Sequence, residues 1–426
     1  MIIRYSDFLD LKYKPGRNDL ICLFRITPAK GFSMREAAAR VASESSNGTW
    51  TGLSVPDHIK SLSAKCYQIK GDHAWIAYPI DLFEHGNMPQ VVSSIMGNIF
   101  GMKAVDGLRL EDVSWPKQLV KSFKGPQFGV KGIRRILNVK SRPITATVPK
   151  PKTGYYPDEH ASVGFKAWTG GVDLLKDDEN LSSQSFNPFE KRLAKSIEVM
   201  RKAEKETGER KGYLVNVTAE TNEMLRRARL VKESGNKFLM VDLLTVGWAG
   251  LQTLRDECQK LGLAIHAHRA FHSTFDRNPK HGVSMKVIVE MARIIGTDTI
   301  HIGGLGKLVG DRKEVSDNYL KCISSSNKPG PEVLVQDWFK VKSLLPCCSG
   351  GLHPGIIGRL IKLLSNDILI QAGGGIHGHP QGTHFGAIAL RQALEALQEG
   401  VPLSSYAKTH EPLRLALDKW GKLTPK

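Results

Sequence analysis

Short, nearly continuous apolar runs alternate with longer amphipathic segments over the last two thirds of the chain. Runs of this kind indicate strands that are buried on both faces, as in a parallel sheet. Segments with helical periodicity, such as residues 187–208 and 221–235, lie between them. Eight apolar runs recur in order, at residues 144–151, 172–179, 213–219, 238–244, 263–269, 299–304, 344–351 and 368–375.

Eight successive strand–helix units predict a (β/α)8 TIM barrel, which is an α/β fold. A doubly wound open sheet is the alternative. Such sheets usually have fewer strands, and no glycine-rich dinucleotide fingerprint opens the first unit here. We therefore expect a C-terminal barrel domain over residues 126–426.

The first part of the chain has a less repetitive pattern of strands and helices. Mixed elements of this kind predict a smaller N-terminal α+β (ferredoxin-like) domain over residues 1–125. A segment rich in Lys, Gly and Phe, residues 116–137, is expected to bridge the two domains. The clearest elements are two strands, residues 19–29 and 73–83, and two helices, residues 33–45 and 88–101.

Composition adds a few constraints. The 426 residues are 41% hydrophobic, which is enough for a packed core. No apolar run is long enough to span a bilayer. The N-terminal stretch MIIRYSDFLDLKYKPG mixes charges into its apolar positions, so we expect no signal peptide. Six scattered cysteines without a CxxC pair favour reduced thiols, and we expect a cytoplasmic protein.

The formal net charge of +18 is large and raises the question of nucleic-acid binding. The lysines and arginines, however, are spread along the chain and form no block with interleaved aromatic residues. A basic protein equally suits a small polyanionic substrate. We therefore expect no nucleic acid and no membrane as partners.

Polar residues and glycines stand at the C-terminal end of every predicted barrel strand. In TIM barrels the active site lies at these ends. One such residue is ordinary capping or packing, but eight ends at once are hard to explain by structure alone. The residues are Lys150, Lys152, Lys176, Asp178, Glu179, Asn216, Asp242, His266, His268, Arg269, His301, Ser349, Gly350, Gly351, Gly373, Gly374 and Gly375.

The segment KDDE at residues 176–179 is the strongest candidate for a metal site. Asp178 and Glu179 supply the hard oxygen ligands that Mg²⁺ prefers. The alternative is a solvated helix start, where carboxylates favour the helix dipole. A cluster of His266, His268 and His272 also resembles a metal site by composition, but the cation of Arg269 beside it disfavours zinc.

Two anion-binding regions flank this metal candidate. The glycine-rich ends of the last two strands offer backbone N–H groups for a phosphate. Arg269 and His301 could hold a second phosphate. The loop from Gly303 to Lys307 is not a P-loop, because His301 and Leu308 stand where that motif requires Gly and Ser or Thr. It fits a glycine-hinged lid carrying one lysine. A sugar bisphosphate is the substrate class that this arrangement favours.

Several segments together resemble the large subunit of ribulose-1,5-bisphosphate carboxylase/oxygenase (RuBisCO). The resemblance covers nearly the whole chain and is closest to the archaeal, form III branch. The segments are GGVDLLKDDENLSSQSFNPFEKR, PKPKTG, HAHRAFH, SGGLHPG and QAGGGIHGHP in the barrel, and ESSNGTW and GNIFGMK in the N-terminal domain.

This resemblance implies a carbamate on Lys176, formed with an activator CO₂, that binds Mg²⁺ together with Asp178 and Glu179. Asp177 is not implied as a ligand. The carbamate would remove the C3 proton of ribulose 1,5-bisphosphate, and CO₂ or O₂ would add to the enediolate. With CO₂ the products are two 3-phosphoglycerates. The resemblance also implies that Lys150 protonates the final carbanion.

The remaining roles also come from the resemblance. Lys152 and His268 would support the enediolate and hydration steps, and Lys307 would stabilise the new carboxylate. One phosphate would rest on Gly351, Gly373, Gly374 and Lys307, with Gly350 beside them, and the other on Arg269, His301 and Ser349. Glu44, Thr49, Trp50 and Asn98 would reach the site from a neighbouring subunit, so we expect a homodimer with shared sites.

The lid departs from the family pattern. It usually contains Gly-Thr-x-x-Gly-Lys, but here residues 303–307 form a loop that is one residue shorter and has no threonine. We expect the shorter lid to affect the capture of CO₂ more than the enolisation of the substrate. The alternative function is therefore a RuBisCO-like enolase or isomerase of another sugar phosphate. Nucleotide salvage and a carbon-fixation cycle both remain open as pathways.

Overall fold

The computed structural model describes residues 2–305, 311–421 and 423. The chain divides into two compact units. The described residues up to 125, with 271–295 and 324–341, form the first unit. Those of 126–270, 296–323 and 342–426 form the second. The domain limits 1–125 and 126–426 stay a prediction.

The strands and helices of the described residues are numbered in chain order. The strands are β1 (Ile2–Ile3), β2 (Leu20–Pro28), β3 (Leu53–Ser54), β4 (Lys65–Lys70), β5 (His73–Tyr78), β6 (Val105–Ser114), β7 (Ile144–Thr147), β8 (Leu174–Lys176), β9 (Gly212–Asn216), β10 (Phe238–Asp242), β11 (Ala264–His268), β12 (Gly282–Val283), β13 (Thr299–Gly303), β14 (Ser326–Asn327), β15 (Gln336–Asp337), β16 (Leu345–Ser349) and β17 (Leu369–Gln371). The α-helices are α1 (Met34–Glu44), α2 (Asp57–Ser61), α3 (Met88–Ile95), α4 (Lys117–Lys121), α5 (Gly129–Leu137), α6 (Pro157–Thr169), α7 (Phe189–Thr207), α8 (Thr221–Glu233), α9 (Leu243–Leu261), α10 (Ser273–Asp276), α11 (Met285–Ile295), α12 (Arg312–Ile323), α13 (Ile357–Leu363), α14 (Gly374–His377), α15 (Thr383–Gln398), α16 (Leu403–Tyr406) and α17 (Glu411–Trp420).

A mixed five-stranded sheet forms the centre of the first unit. Its strand order is β12-β6-β2-β5-β4, and its pairs are antiparallel except for β12, which runs parallel to β6. Helix α1 begins with a capping box, in which Ser33 and Glu36 each accept a backbone N–H of the other. The mixed sheet and its helices confirm the predicted α+β character of this region.

A closed barrel of eight parallel strands forms the centre of the second unit. The strand order is β7-β8-β9-β10-β11-β13-β16-β17, and β17 pairs back with β7. Seven of the eight predicted apolar runs contain one of these strands, and the eighth, residues 213–219, covers β9 except for its first residue, Gly212. The predicted (β/α)8 barrel is therefore confirmed.

The interior of the barrel changes character along the strands. Apolar residues near the strand starts, among them Leu174, Phe238 and Leu369, form one buried cluster. Helix α5 packs its Val130 and Ile133 into the same cluster. Burial of these side chains, each worth about 1.5–3 kcal/mol, stabilises the closed sheet. The polar interior residues lie closer to the strand ends, so the candidate reacting groups are at that end of the barrel.

Most of the predicted elements are confirmed, with differences at their ends. The strand predicted at residues 73–83 ends at Tyr78, and the helix predicted at 88–101 ends at Ile95; a 3₁₀ turn follows in each case. The sequence patterns did not single out β4 or β6. The bridging segment at 116–137 contains two helices, α4 and α5.

All six cysteines are free and buried, which agrees with the expectation of reduced thiols. None of the helices in residues 2–305, 311–421 and 423 combines the length and apolar character that crossing a membrane requires.

Candidate active site

Four consecutive charged residues stand at the end of β8. Lys176 is the last residue of the strand, and Asp177 continues the ladder by donating its backbone N–H to the Leu214 carbonyl (3.1 Å). Lys176, Asp177 and Asp178 are buried, whereas Glu179 is partly exposed. The following helix, α7, begins well beyond this segment. The alternative of a solvated helix start is therefore wrong.

Asp177 anchors this strand end from a fully buried position. Its Oδ2 lies 3.1 Å from Arg192 Nε and accepts the Asn216 backbone N–H (3.0 Å). Its Oδ1 accepts the Tyr213 hydroxyl (2.5 Å) and lies 3.2 Å from His160 Nε2. Burial alone would raise the pKa of Asp177, but the Arg192 charge and the bonds from His160 and Tyr213 hold it well below its usual range. Both oxygens of Asp177 are thus engaged in holding the strand end.

The side chain of Lys176 is completely buried beside a carboxylate. Its Nζ donates to the Asp177 carbonyl (2.7 Å) and lies 3.8 Å from Glu179 Oε2. A buried amine needs such partners, because an unpaired buried charge is costly. The predicted lysine and one of its two predicted carboxylates therefore meet at the end of β8.

A second lysine–carboxylate pair joins the ends of β7 and β8. Lys150 Nζ lies 3.3 Å from Asp178 Oδ2. The other oxygen of Asp178 accepts the backbone and side-chain N–H groups of Asn180 (3.2 and 2.9 Å). Lys152 follows in the same loop and is exposed. The structure thus brings Lys150 to the predicted metal ligands and leaves Lys152 in the open part of the loop.

His268 lies between two carboxylates at the end of β11. Its Nε2 is 3.5 Å from Glu179 Oε2, and its Nδ1 is 3.2 Å from Asp242 Oδ1. Burial raises the pKa of Asp242 to about 7; the charge of Lys176 opposes this shift and that of Glu179 adds to it. Three strand ends therefore share one electrostatic network.

His301 and Ser349 are in contact at the ends of β13 and β16. His301 Nδ1 lies 2.9 Å from Ser349 Oγ, and the His301 ring centroid is 4.6 Å from that of His268. Burial, with the nearby cations, lowers the pKa of His301 well below its usual value, so the ring is neutral near pH 7. Arg269 is buried at the end of the adjacent strand β11. The predicted anion-binding residues thus come from three neighbouring strands.

Glycines form the turns after the last two barrel strands. Gly350 and Gly351 have φ angles of 98° and 64°, which residues with a side chain rarely adopt. Gly373 precedes α14, and a Cβ on it would lie 3.2 Å from Lys150 Cε. A Cβ on Gly374 would meet no atom within 4 Å. Backbone without side chains therefore lies beside Lys150.

The four residues predicted to serve a neighbouring subunit belong to the first unit. Trp50 is 80% exposed, and Asn98 is also exposed. Glu44 is exposed and accepts the Tyr5 hydroxyl (2.7 Å), while Thr49 is half-buried.

The lid is described only in part. Gly303 has a φ of 109°, and Leu305 is buried. The predicted catalytic Lys307 lies outside the described residues, so its position stays a prediction.

The histidines of the cluster at 266–272 have separate partners. His266 contacts His301 (Nε2–Nε2 3.0 Å), whereas His268 faces Glu179 and Asp242. His272 Nδ1 lies 2.6 Å from Asp276 Oδ2. Their proximity in sequence therefore does not produce one common site.

Sequence reasoning missed the residues that hold Asp177. Arg192 lies on α7 and resembles an ordinary surface charge of an amphipathic helix. It falls, however, on the buried face of α7 with Phe189, Leu193 and Ser196. An arginine at an apolar position of a helix was the available signal. The sequence offered no such signal for Tyr213 and His160, because only the folded barrel brings their strand and helix close to Asp177.

Comparison with known proteins finds relatives over nearly the whole chain. A family profile described as the catalytic domain of the ribulose bisphosphate carboxylase large chain matches residues 129–420, and one described as its N-terminal domain matches residues 7–119. The chain is 49% identical to "Ribulose bisphosphate carboxylase" of Pyrococcus furiosus, over 99% of each protein. It is 47% identical to the protein of that name from Methanosarcina acetivorans, over 97% of this chain and 99% of the relative.

Solved structures give the same result. A dimeric archaeal Rubisco from Hyperthermus butylicus has a TM-score of 0.94 at 48% identity, covering 98% of this chain and 100% of the other. An octameric Rubisco from Pyrococcus horikoshii OT3 has a TM-score of 0.92 at 44% identity, covering 100% and 99%.

We expect Arg192→Met to destabilise the second unit strongly. The variant leaves the buried Asp177 carboxylate without its cation, a loss that typically costs about 3–5 kcal/mol. Urea unfolding checks this. The control is Lys195→Met on the same helix, because Lys195 pairs with Asp158 while both are largely exposed. Equal losses in the two variants would contradict the anchoring role of Asp177.

We expect Asp242→Asn to change the pH dependence of stability. Because the folded chain holds the Asp242 proton up to about pH 7, the cost of burying the charged form is absent below about pH 4 and complete above pH 7. The asparagine removes a cost of at most about 4 kcal/mol. The gain in melting temperature over the parent should therefore grow from pH 4 to pH 8 in metal-free, CO₂-free buffer.

The matched control for this measurement is Asp81→Asn, at an exposed carboxylate. A gain for Asp242→Asn that is the same at all pH values, or that shrinks as the pH rises, would contradict the raised pKa.

Proposed function

Because the chain belongs to the ribulose bisphosphate carboxylase large-chain family, we propose that it carboxylates ribulose 1,5-bisphosphate. CO₂ adds to the enediolate of the substrate, and the products are two molecules of 3-phosphoglycerate. O₂ competes for the same enediolate. The reaction depends on Mg²⁺ and on a carbamate formed when an activator CO₂ reacts with Lys176.

The observation that carries this proposal is the buried Lys176 amine among carboxylates at the end of β8. Glu179 Oε2 lies 3.8 Å from its Nζ, and Asp178 is the next residue but one. A lysine whose only role is structural has no need of a partly exposed carboxylate on the open side of the barrel. The contact with Glu179 supports a carbamate on Lys176 that would bind a metal together with Glu179 and Asp178.

The charges of these residues fit a divalent cation. Carbamylation replaces a cation at Lys176 with an anion, next to Asp178 and Glu179. Such a cluster of anions needs a cation in place of the lost one. The carbamate, Asp178 and Glu179 would hold Mg²⁺, which prefers hard oxygen ligands. When bound, Mg²⁺ supplies Lewis-acid stabilisation of charge that develops on the substrate oxygens.

Different side chains around the Lys176 carbamate carry out the separate proton transfers. The Lys176 carbamate accepts the C3 proton of the substrate. His268 can pass protons, because its two ring nitrogens face Glu179 and Asp242. Lys150, 3.3 Å from Asp178, protonates the final carbanion. Lys152 and Lys307 act from the loops, Lys152 on the enediolate and Lys307 on the new carboxylate.

Two groups of residues bind the phosphates. Arg269, His301 and Ser349 offer a guanidinium, a neutral imidazole and a hydroxyl at neighbouring strand ends. The opposite phosphate rests on Gly350, Gly351, Gly373 and Gly374 together with Lys307. Glycine suits this role at Gly373, since a side chain there would occupy the space beside Lys150.

The assembly is a homo-oligomer with shared sites. The relatives of known structure are described as dimeric and octameric, and we propose at least a dimer here. Glu44, Thr49, Trp50 and Asn98 reach the site of a neighbouring subunit. The exposure of the large apolar Trp50 supports this, because such a side chain is commonly covered in an assembly.

The second candidate is a RuBisCO-like enolase or isomerase acting on another sugar phosphate. The shortened lid at residues 303–307 favours it, because a displaced Lys307 would affect capture of CO₂ and leave proton abstraction intact. The carboxylase is favoured because the lysine, both metal carboxylates and the phosphate-binding residues are all kept. Its pathway is nucleotide salvage or CO₂ fixation, in the cytoplasm.

We expect Lys176→Met to abolish fixation of labelled CO₂ into 3-phosphoglycerate. The assay uses protein preincubated with bicarbonate and Mg²⁺ and then given ribulose bisphosphate, without oxygen and again with it. The control is Lys211→Met, which removes another buried lysine whose amine donates to the Val172 carbonyl away from the site (3.1 Å). Full turnover in Lys176→Met would remove the carbamate from the proposal.

We expect Lys307→Ala to lower carboxylation more than exchange of the C3 proton with solvent, because Lys307 acts after the enediolate forms. Tritium exchange and CO₂ fixation are measured on the same sample. Lys313→Ala, at an exposed lysine of α12, is the control. An equal fall in both rates would contradict the role in CO₂ capture. Exchange without any fixation in the parent protein would favour the enolase.

A further inference from the structure

Three soft or borderline metal ligands meet inside the barrel, and one of them, His301, also belongs to the proposed phosphate-binding residues. His266, His301 and Cys347 lie on the neighbouring strands β11, β13 and β16 and are all buried. His301 Nε2 lies 3.0 Å from His266 Nε2 and 3.8 Å from Cys347 Sγ. All three ligand atoms are within 4.8 Å of one another. These separations are close to those between the ligands of a single transition-metal ion, whose bonds to N and S are about 2.0–2.3 Å.

The outer nitrogen of each imidazole is already held. His266 Nδ1 is hydrogen-bonded to Thr299 Oγ1, and His301 Nδ1 is hydrogen-bonded to Ser349 Oγ (2.9 Å). Partners of this kind fix the ring orientation of metal-binding histidines and leave the other nitrogen for the ion. The two Nε2 atoms face each other, and that of His301 also contacts the sulfur of Cys347. Without an ion, one shared proton between the two Nε2 atoms satisfies the pair.

Charge decides which ion fits. The positive charge of Arg269 acts on the Cys347 thiol, and so does that of Lys176 as long as it is not carbamylated. A divalent ion with one thiolate would leave a net positive charge in this buried region beside Arg269, which is costly. A monovalent ion with one thiolate is neutral. Cu⁺ is monovalent, prefers thiolate and imidazole, and accepts three ligands.

We propose that His266, His301 and Cys347 form a three-coordinate site for Cu⁺. Binding replaces the thiol proton of Cys347 by the ion, and that proton leaves to solvent. The proton shared by the two Nε2 atoms moves to the Nδ1 atom that lacks one, beside its hydroxyl partner, and no electron is transferred. Burial raises the pKa of the Cys347 thiol well above its usual value, so the thiol stays protonated until the ion displaces the proton. The ring of His268 packs against His301 and is itself partly exposed. The proposed path of the ion from the barrel mouth therefore runs past this ring.

Cys348 offers a matched control for Cys347. It is the next residue of β16 and is equally buried, but side chains alternate along a strand, so it faces away from the barrel interior. Cys347 belongs to the cluster of interior residues. Replacing either cysteine with valine keeps nearly the same volume.

The test is anaerobic titration of the full-length, reduced protein with Cu⁺ in competition with the chromogenic chelator bicinchoninate. We expect one tightly bound Cu⁺ per chain in the parent and in Cys348→Val, and at least a hundredfold weaker binding in Cys347→Val. Equal affinity in all three proteins, or the same loss in both variants, would overturn the site. Zn²⁺ held at this site in preference to Cu⁺ would overturn the choice of ion.

A measurement on the unmodified protein covers the case in which Cys347→Val fails to fold. X-ray absorption at the copper edge should show two nitrogen neighbours and one sulfur neighbour. A spectrum without sulfur, or with two or more sulfur neighbours, would contradict the proposal. Neither experiment measures catalysis, so the result is independent of whether the chain carboxylates ribulose bisphosphate.

Discussion

The buried ion pair between Asp177 and Arg192 is the constraint on which the site depends. With the Tyr213 hydroxyl and the Asn216 backbone N–H, Arg192 saturates the Asp177 carboxylate and fixes the end of β8 against β9 and α7. Because successive side chains point in different directions, holding Asp177 outward from the barrel axis leaves Lys176 directed to the interior. Removing the anchor would free the residues whose spacing the chemistry requires, although Asp177 itself takes no part in it.

The apolar residues that stabilise the barrel and the polar residues of the proposed site lie at opposite ends of its strands. Its strand starts are filled with apolar side chains and closed by α5, so the hydrophobic stabilisation is concentrated away from the reacting groups. The strand ends can then carry charges that would destabilise a core. These charges are arranged in pairs, as Lys150 with Asp178 and His268 with Glu179, and their balance changes if one lysine becomes an anion.

The interior histidines lie at the boundary between these two regions. His301 is joined on one side to Ser349, which belongs to the proposed phosphate site, and on the other to His266. Burial keeps both rings neutral, so they act as hydrogen-bonding groups and as metal ligands, whereas the positive charge near the phosphate comes from Arg269. A substitution of one of these histidines would therefore affect the mouth of the barrel through the contact of His301 with Ser349.

The pattern of residues along the chain was enough to predict the eight-stranded barrel, because near-continuous apolar runs with helices between them can be buried in few other ways. It also placed Lys176, Asp178, Glu179, His268 and the glycine turns at strand ends, since their order along the chain is enough for that. Which of these residues meet became visible in the folded chain: Lys150 faces Asp178, His268 lies between Glu179 and Asp242, and Arg192 holds Asp177. Contacts between distant strands depend on barrel closure and on rotamers set by packing, and neither leaves a periodic signal in the chain. The raised pKa of Asp242 has the same origin, because burial belongs to the fold and not to the residue.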